Sequence, residues 1–139
     1  IKQTIHLLSL NEIKKLLNLS KKNLSANGRI FIFTLETDNN QLPTFNHMKT
    51  KLIKSLKRDK KILKVITKAH PCRVKKKFIY KVEIIKKDYL KMIQNRYIST
   101  LLSLTKKELL KGMKEINLKY KDIIKFNDKL ICVILKNAH

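Results

Sequence analysis

For every six residues of this chain, about one positive charge has no counter-charge. Thirty-three Lys and Arg stand against ten Asp and Glu over 139 residues, a net charge of +23. Self-repulsion on that scale works against compaction, so the fold has to place its cations outside and near an anionic partner. The length suits one domain, and 43% hydrophobic residues suffice for a packed core. The charge argues for a polyanion-binding protein and against a conventional small-molecule enzyme. Only Arg29, Arg58, Arg73 and Arg96 are arginines; the other 29 cations are lysines. Lysine is a compact point charge for phosphate, whereas the planar arginine fork reads bases, so backbone neutralisation is favoured over sequence readout. The abundance of Lys, Ile, Leu and Asn, with two Gly, two Pro and no Trp, fits an A+T-rich coding genome. That bias itself supplies some of the lysines.

Periodicity divides the chain into elements. Ser9 and Glu12 have capping-box spacing, and Leu10, Ile13, Leu17 and Leu24 follow at helical period, predicting a helix over 9–24 with Lys14, Lys15, Lys21 and Lys22 facing out. RIFIFTLE, residues 29–36, reads as a strand. Its run Ile30-Phe31-Ile32-Phe33 predicts burial on both faces, hence a central place. After Asp38-Asn39-Asn40, Pro43 opens a helix whose stripe Phe45, Met48, Leu52, Leu56 runs to Arg58, with Lys49, Lys51, Lys54, Lys57 and Arg58 on its other side. KILKVITKA, 61–69, predicts a second strand. VKKKFIYKVEII, 74–85, predicts a third, a long arm paired back on the second.

Residues 88–104 fit a helix through Tyr89, Ile93, Tyr97 and Leu101, and fit a strand through 97–102. Periodicity leaves both open. Thr105 and Glu108 repeat the capping-box spacing ahead of a helix over 105–118, which Gly112 weakens. KDIIKF (121–126) and KLICVIL (129–135), with Asn127-Asp128 between them, predict a terminal hairpin.

With a strand at 92–104, the order is α+β: a ferredoxin-like split β-α-β sandwich with a long basic arm and an added N-terminal helix. The boundaries would be an N-terminal helical extension over 1–28 and an α+β domain over 29–139. The chain begins at Ile1, as a processed or partial product would. No apolar run reaches the ~18 residues of a membrane span.

Catalytic patterns are missing. Two glycines cannot build a phosphate loop, there is no nucleophile elbow, and the acids are scattered. His47 is best read as a helix-surface or core histidine. Cys72 beside His70 and Arg73 lacks the second pair of ligands zinc needs, and Cys72 and Cys132 read as reduced thiols. No enzyme activity, cofactor, metal, small-molecule substrate or membrane partner is expected. The candidate binding residues are Arg73, Lys75, Lys76 and Lys77 beside Phe78 and Tyr80, the densest basic-aromatic cluster, with Lys54, Lys57 and Arg58 as a second patch. Such a cluster can neutralise phosphates while a ring stacks on an unpaired base.

The order of elements and the basic arm resemble the small-subunit ribosomal protein ten (S-ten) family over residues 29–126. VITKAHPCRVKKKF, 65–78, matches a family strand that leads through a proline-bearing turn to a basic stretch closed by an aromatic. IQNRYISTLLSL, 93–104, lines up with a family strand, Arg96 falling on its arginine and Leu101, Leu102 and Leu104 on apolar positions. A Thr-initiated helix follows at Thr105. Tyr97-Ile98-Ser99-Thr100 replaces a Thr-His-Lys-Arg run, and the family's Ser-Pro-His tip is absent near Glu83-Ile84-Ile85. The resemblance implies a strand at 92–104 and adds Arg96 to the candidate contacts. It further implies a structural role in the small ribosomal subunit, with rRNA and neighbouring ribosomal proteins as partners. The composition then places that ribosome in a mitochondrial matrix, ahead of a plastid or the cytosol. Two other classes fit the charge: a DNA- or RNA-binding accessory of a nucleoid or nucleic-acid enzyme, and a non-RNA assembly subunit of an organellar complex.

Overall fold

The computed structural model describes residues 1, 4–70 and 73–136, except the side chain of Arg73. Among these residues the protein is α+β, with four α-helices, two single 3-10 turns and a three-stranded antiparallel sheet compatible with a split β-α-β arrangement. The elements are α1 (Leu10–Lys22), β1 (Arg29–Leu35), α2 (Asn46–Ala69), β2 (Arg73–Ile85), α3 (Lys86–Gln94), α4 (Lys106–Lys119) and β3 (Ile123–Lys136), with 3-10 turns at Ile5–Leu7 and Ser99–Leu101. The strand order is β1-β3-β2. The chain forms two compact units. Unit 1 is Ile1–Asn40, Leu56–Phe78 and Lys129–His139; unit 2 is Gln41–Ser55 and Ile79–Asp128.

Both helices announced by capping boxes are present. Ser9 accepts from the Glu12 N–H while the Glu12 carboxylate accepts from the Ser9 N–H, and Thr105 and Glu108 repeat the exchange. Two otherwise orphaned amides are satisfied at each start.

Unit 1 packs one aliphatic cluster. Ile13 and Leu17 of α1, Ile62, Leu63 and Ile66 of α2, Ile30 and Ile32 of β1, and Ile131, Val133 and Leu135 of β3 meet there with Ile5. The segment 1–28 thus contributes to the same cluster as the first strand. Unit 2 packs Phe45 just ahead of α2, Met48 of α2, Tyr89 and Ile93 of α3, Leu109 and Ile116 of α4, Leu101, Leu104 and Ile124.

Four expected elements are corrected. Residues 61–69 are the last turns of α2, not a strand. The stripe Met48, Leu52, Leu56 continues through Asp59, Ile62, Leu63 and Ile66, so that buried positions recur every three or four residues. That continuity outweighs the β-propensity of a short Ile/Val run. With no strand there, β2 joins the sheet beside β3 instead.

Residues 92–104 are also not a strand: α3 ends at Gln94 and a 3-10 turn follows. Arg96 takes a left-handed backbone (φ 54°), and the Tyr97 N–H reaches back to the Met92 carbonyl (3.1 Å), closing the helix end.

Residues 121–135 form one strand rather than a hairpin. Asn127-Asp128 holds no glycine to supply the left-handed turn conformations of a tight hairpin, and the Asn127 amide instead donates to the Gln41 side chain (3.0 Å).

Finally, β1 lies at the edge and β3 at the centre. Even-numbered β1 residues are buried and odd-numbered ones exposed or half-buried, so this strand is fully covered on one face only, whereas β3 is buried on both faces over 131–135.

Candidate nucleic-acid interface

Strand β2 carries the basic cluster on the sheet's other edge. Val74, Lys75, Lys76 and Lys77 are all exposed. Lysines on an edge strand also discourage pairing with another chain. Pleating sends Lys75 and Lys77 to one face and Lys76 and Phe78 to the other. Arg73 begins the strand, but its side chain, like Pro71 and Cys72, lies outside the described residues.

The fold does not leave these cations equivalent. Lys77 Nζ sits 2.9 Å from Glu36 Oε1, and Glu36 is only 6% exposed. The hydrogen bond to Glu36 raises the Lys77 ammonium above its ordinary range. Lys77 therefore satisfies a nearly buried carboxylate that would otherwise be costly. Lys75 keeps its head exposed. It adds a small favourable field to Asp38, whose carboxyl is held low mainly by its hydrogen bond from Lys60 (2.8 Å). The Phe78 ring is half-buried, 6.1 Å from the ring of Phe33 at 46°. Tyr80 is exposed.

On α2, Lys54, Lys57 and Arg58 are exposed, Lys54 within unit 2 and the other two within unit 1. Arg58 Nη2 also donates to the Leu8 carbonyl (3.1 Å), fastening the segment ahead of α1. Arg96 is half-buried and uses Nη1 on the carbonyls of Leu101 and Leu102, the latter at 3.1 Å. It satisfies the 3-10 turn's free carbonyls and is a structural fastening of unit 2.

Several acids pair with basic groups of the chain, most of them at the surface. Besides Glu36 and Asp38, Glu83 pairs with Lys125 (2.9 Å), Glu108 with His47 (3.2 Å) and Asp122 with Lys86 (3.9 Å).

The sequence reading missed two features. One is an open groove lined by Lys86, Lys87, Asp88 and Lys91, with Leu90, Gln94, Met113 and Asn117. The other is the sheet face of unit 1 turned away from the aliphatic cluster, where Phe31 is exposed while Cys132 and Ile134 are buried. There Arg29 stands directly opposite Lys136, and Phe31 opposite Ile134. The signal was the alternation within RIFIFTL, hidden because both faces are apolar.

Among the described residues no group of three or more His, Cys, Asp or Glu could hold a metal ion, and no helix is long and apolar enough to cross a membrane. Burial pushes the Cys132 thiol up and the His70 imidazole down. A thiol raised in this way is poorly nucleophilic at neutral pH. No protein-family model and no curated protein matches the chain.

Proposed function

We propose that this chain is a structural RNA-binding component of a ribonucleoprotein particle, holding folded RNA through lysine-phosphate contacts and carrying no chemistry. The observation that supports it most is the placement of charge. Exposed lysines lie along β2, the outer side of α2 and the α3–α4 groove, and they outnumber the carboxylates, several of which pair with basic groups of the chain itself. Charge spread over several elements suits a chain in contact with RNA at several places better than one gripping a single groove. The free cations of the interface are Lys75, Lys76, Lys54 and Lys57, whereas Lys77, Arg58 and Arg96 hold the fold as well.

The particle favoured by the sequence pattern is the small ribosomal subunit, with rRNA and neighbouring ribosomal proteins as partners, in a mitochondrial matrix. Support for that choice rests on the basic arm and the charge, since two segments that resemble family strands, 61–69 and 92–104, are helix and turn. Sedimentation tests it. The tagged full-length chain should co-migrate with the small subunit in a high-salt gradient and resist release until the rRNA is digested. Migration with another complex, or free at the top, refutes it.

A further inference from the structure

The sheet of unit 1 has two unlike faces. Toward the helices, Ile30, Ile32, Ile131, Val133 and Leu135 join the aliphatic cluster. On the opposite face β1 presents Arg29, Phe31, Phe33 and Leu35, and β3 places their register partners Lys136, Ile134, Cys132 and Leu130 there, of which Ile134 and Cys132 are buried beneath the face's larger side chains and Lys136 is exposed. Directly paired residues of an antiparallel ladder share a face. The Phe78 ring lies beside that of Phe33, so alternation puts Lys76 on this face too. The field of Lys76 at the Cys132 thiol agrees with that placement.

The face therefore combines three phenylalanines with three cations, and none of the named positions is acidic. Phe31 is 43% exposed and Arg29, Lys76 and Lys136 are exposed. Two observations argue for an anionic occupant with flat apolar surfaces. Arg29 directly opposite Lys136 is a like-charge cross-strand pair, which is destabilising until an anion bridges it. Phenylalanine has no polar handle, so an exposed ring on a charged surface is best used by stacking, and every base has a π-face to offer.

We propose that this face of the sheet binds a short unpaired stretch of RNA, its bases stacking on Phe31, Phe33 and Phe78 and its phosphates held by Arg29, Lys76 and Lys136. The proposal rests on the RNA-binding function above and adds a site for single-stranded RNA that shares Lys76 with the lysine surface of β2. A protein segment or a second copy of the chain is the rival occupant. It would leave the like-charge pair unneutralised unless it brought acids of its own.

The test uses the full chain, an unstructured 12-nucleotide RNA and a 12-base-pair RNA duplex. Phe31→Ala should weaken single-strand binding by roughly five- to 150-fold, the range for losing one stacked base, and leave duplex binding within about twofold. Arg29→Gln with Lys136→Gln should flatten the single-strand log-log salt slope by about 1.4, at ~0.7 per phosphate. The chain has no tryptophan, so Phe31→Trp introduces a single reporter that keeps a stacking surface. Its emission should be quenched by the single strand and not by the duplex, which serves even where Phe31→Ala fails to fold. Unchanged single-strand affinity of a folded Phe31→Ala variant, or no quenching, overturns the proposal while duplex binding still upholds the RNA function. Binding of neither RNA refutes both. Concentration-dependent dimerisation abolished by Phe31→Ala assigns the face to a second copy and also overturns the proposal.

Discussion

The cluster of unit 1 is made of isoleucine, leucine and valine, whereas that of unit 2 is built on Phe45 and Tyr89, with Tyr97, Tyr120 and Phe126 packed against it. Unit 1 has aromatic residues as well, but Phe31, Phe33 and Phe78 sit on the sheet face turned away from its core. In unit 2 the rings of the cluster are committed to structure, whereas Tyr80 on β2 is exposed. The Tyr89 hydroxyl donates to the Pro43 carbonyl (2.6 Å) and bonds the Tyr97 hydroxyl (2.9 Å), and its ring meets Tyr97 and Phe126 edge-on. The difference teaches where to look for function. A ring with a buried hydroxyl network or a full set of neighbours is there for packing; a half-exposed ring among cations is available to a ligand.

Substitutions can break this contrast. The largest effect should come from Gly112→Leu. A Cβ at Gly112 would stand 2.4 Å from the Phe45 ring, so a larger side chain overpacks the unit 2 cluster. A loss of about 3 kcal/mol in denaturant unfolding is expected. A loss below about 1 kcal/mol would show that Phe45 moves aside freely and that the unit 2 rings are not committed. The same geometry revises the role of Gly112: it costs helix propensity, yet it is the residue that admits Phe45.

Tyr89→Phe should cost about 2 kcal/mol, because the buried Pro43 carbonyl and the Tyr97 hydroxyl both lose a partner. Burial, reinforced by Tyr97, pushes the Tyr89 phenol far above its ordinary range, so it stays protonated and donating at any pH the protein survives. A neutral substitution, measured by the same unfolding curve, would show that the hydroxyl network adds nothing to the packing.

Unit 1 supplies a smaller, pH-dependent effect. Asp59 is buried, and its Oδ1 has no hydrogen-bond partner. Burial raises its carboxyl above the ordinary range, against the opposing fields of His6 and Arg58. A raised carboxyl favours the fold when protonated. Its stabilising contribution is complete below the unfolded aspartate value and is lost as pH rises through the raised one. Asp59→Asn should therefore raise the melting temperature at neutral pH and change it little in acid. A lower melting temperature at neutral pH would show that the ionised carboxylate is used, through His6 or Arg58.

The smallest stability effect belongs to Phe31→Ala. Its expected cost is about 0.5 kcal/mol, because the ring lies outside the aliphatic cluster. A loss comparable to that of a core phenylalanine, about 3 kcal/mol, would erase the contrast between the two units.

Local chemistry was the legible part of this fold. The Ser9 and Thr105 caps announced α1 and α4 because the atoms that start a helix lie within four residues of each other. The turns of α2 over 61–69 were hidden because Ile62, Val65 and Ile66 favour a strand when read alone, and only the stripe from Met48 shows otherwise. Asn127-Asp128 resembled a turn, and its place inside β3 depends on strands that come from far along the chain. The same limit applies to the interface. That Lys75 and Lys76 are exposed follows from composition. That Lys77 answers Glu36, Arg58 holds Leu8 and Arg96 holds Leu101 and Leu102 depends on partners assembled by tertiary folding.

The central claim is that lysines held on the surface of the folded chain neutralise RNA phosphates. The salt dependence of affinity for a purified rRNA fragment tests it most directly. If about eight phosphates are neutralised, the slope of log K against log salt concentration on duplex RNA should lie near −7, with ~0.9 per phosphate as a guide. Lys75→Gln with Lys76→Gln should make it shallower by about 2 without changing the fold. A slope shallower than about −2 for the unaltered protein would mean that its uncompensated charge is not spent on RNA, and would contradict the account.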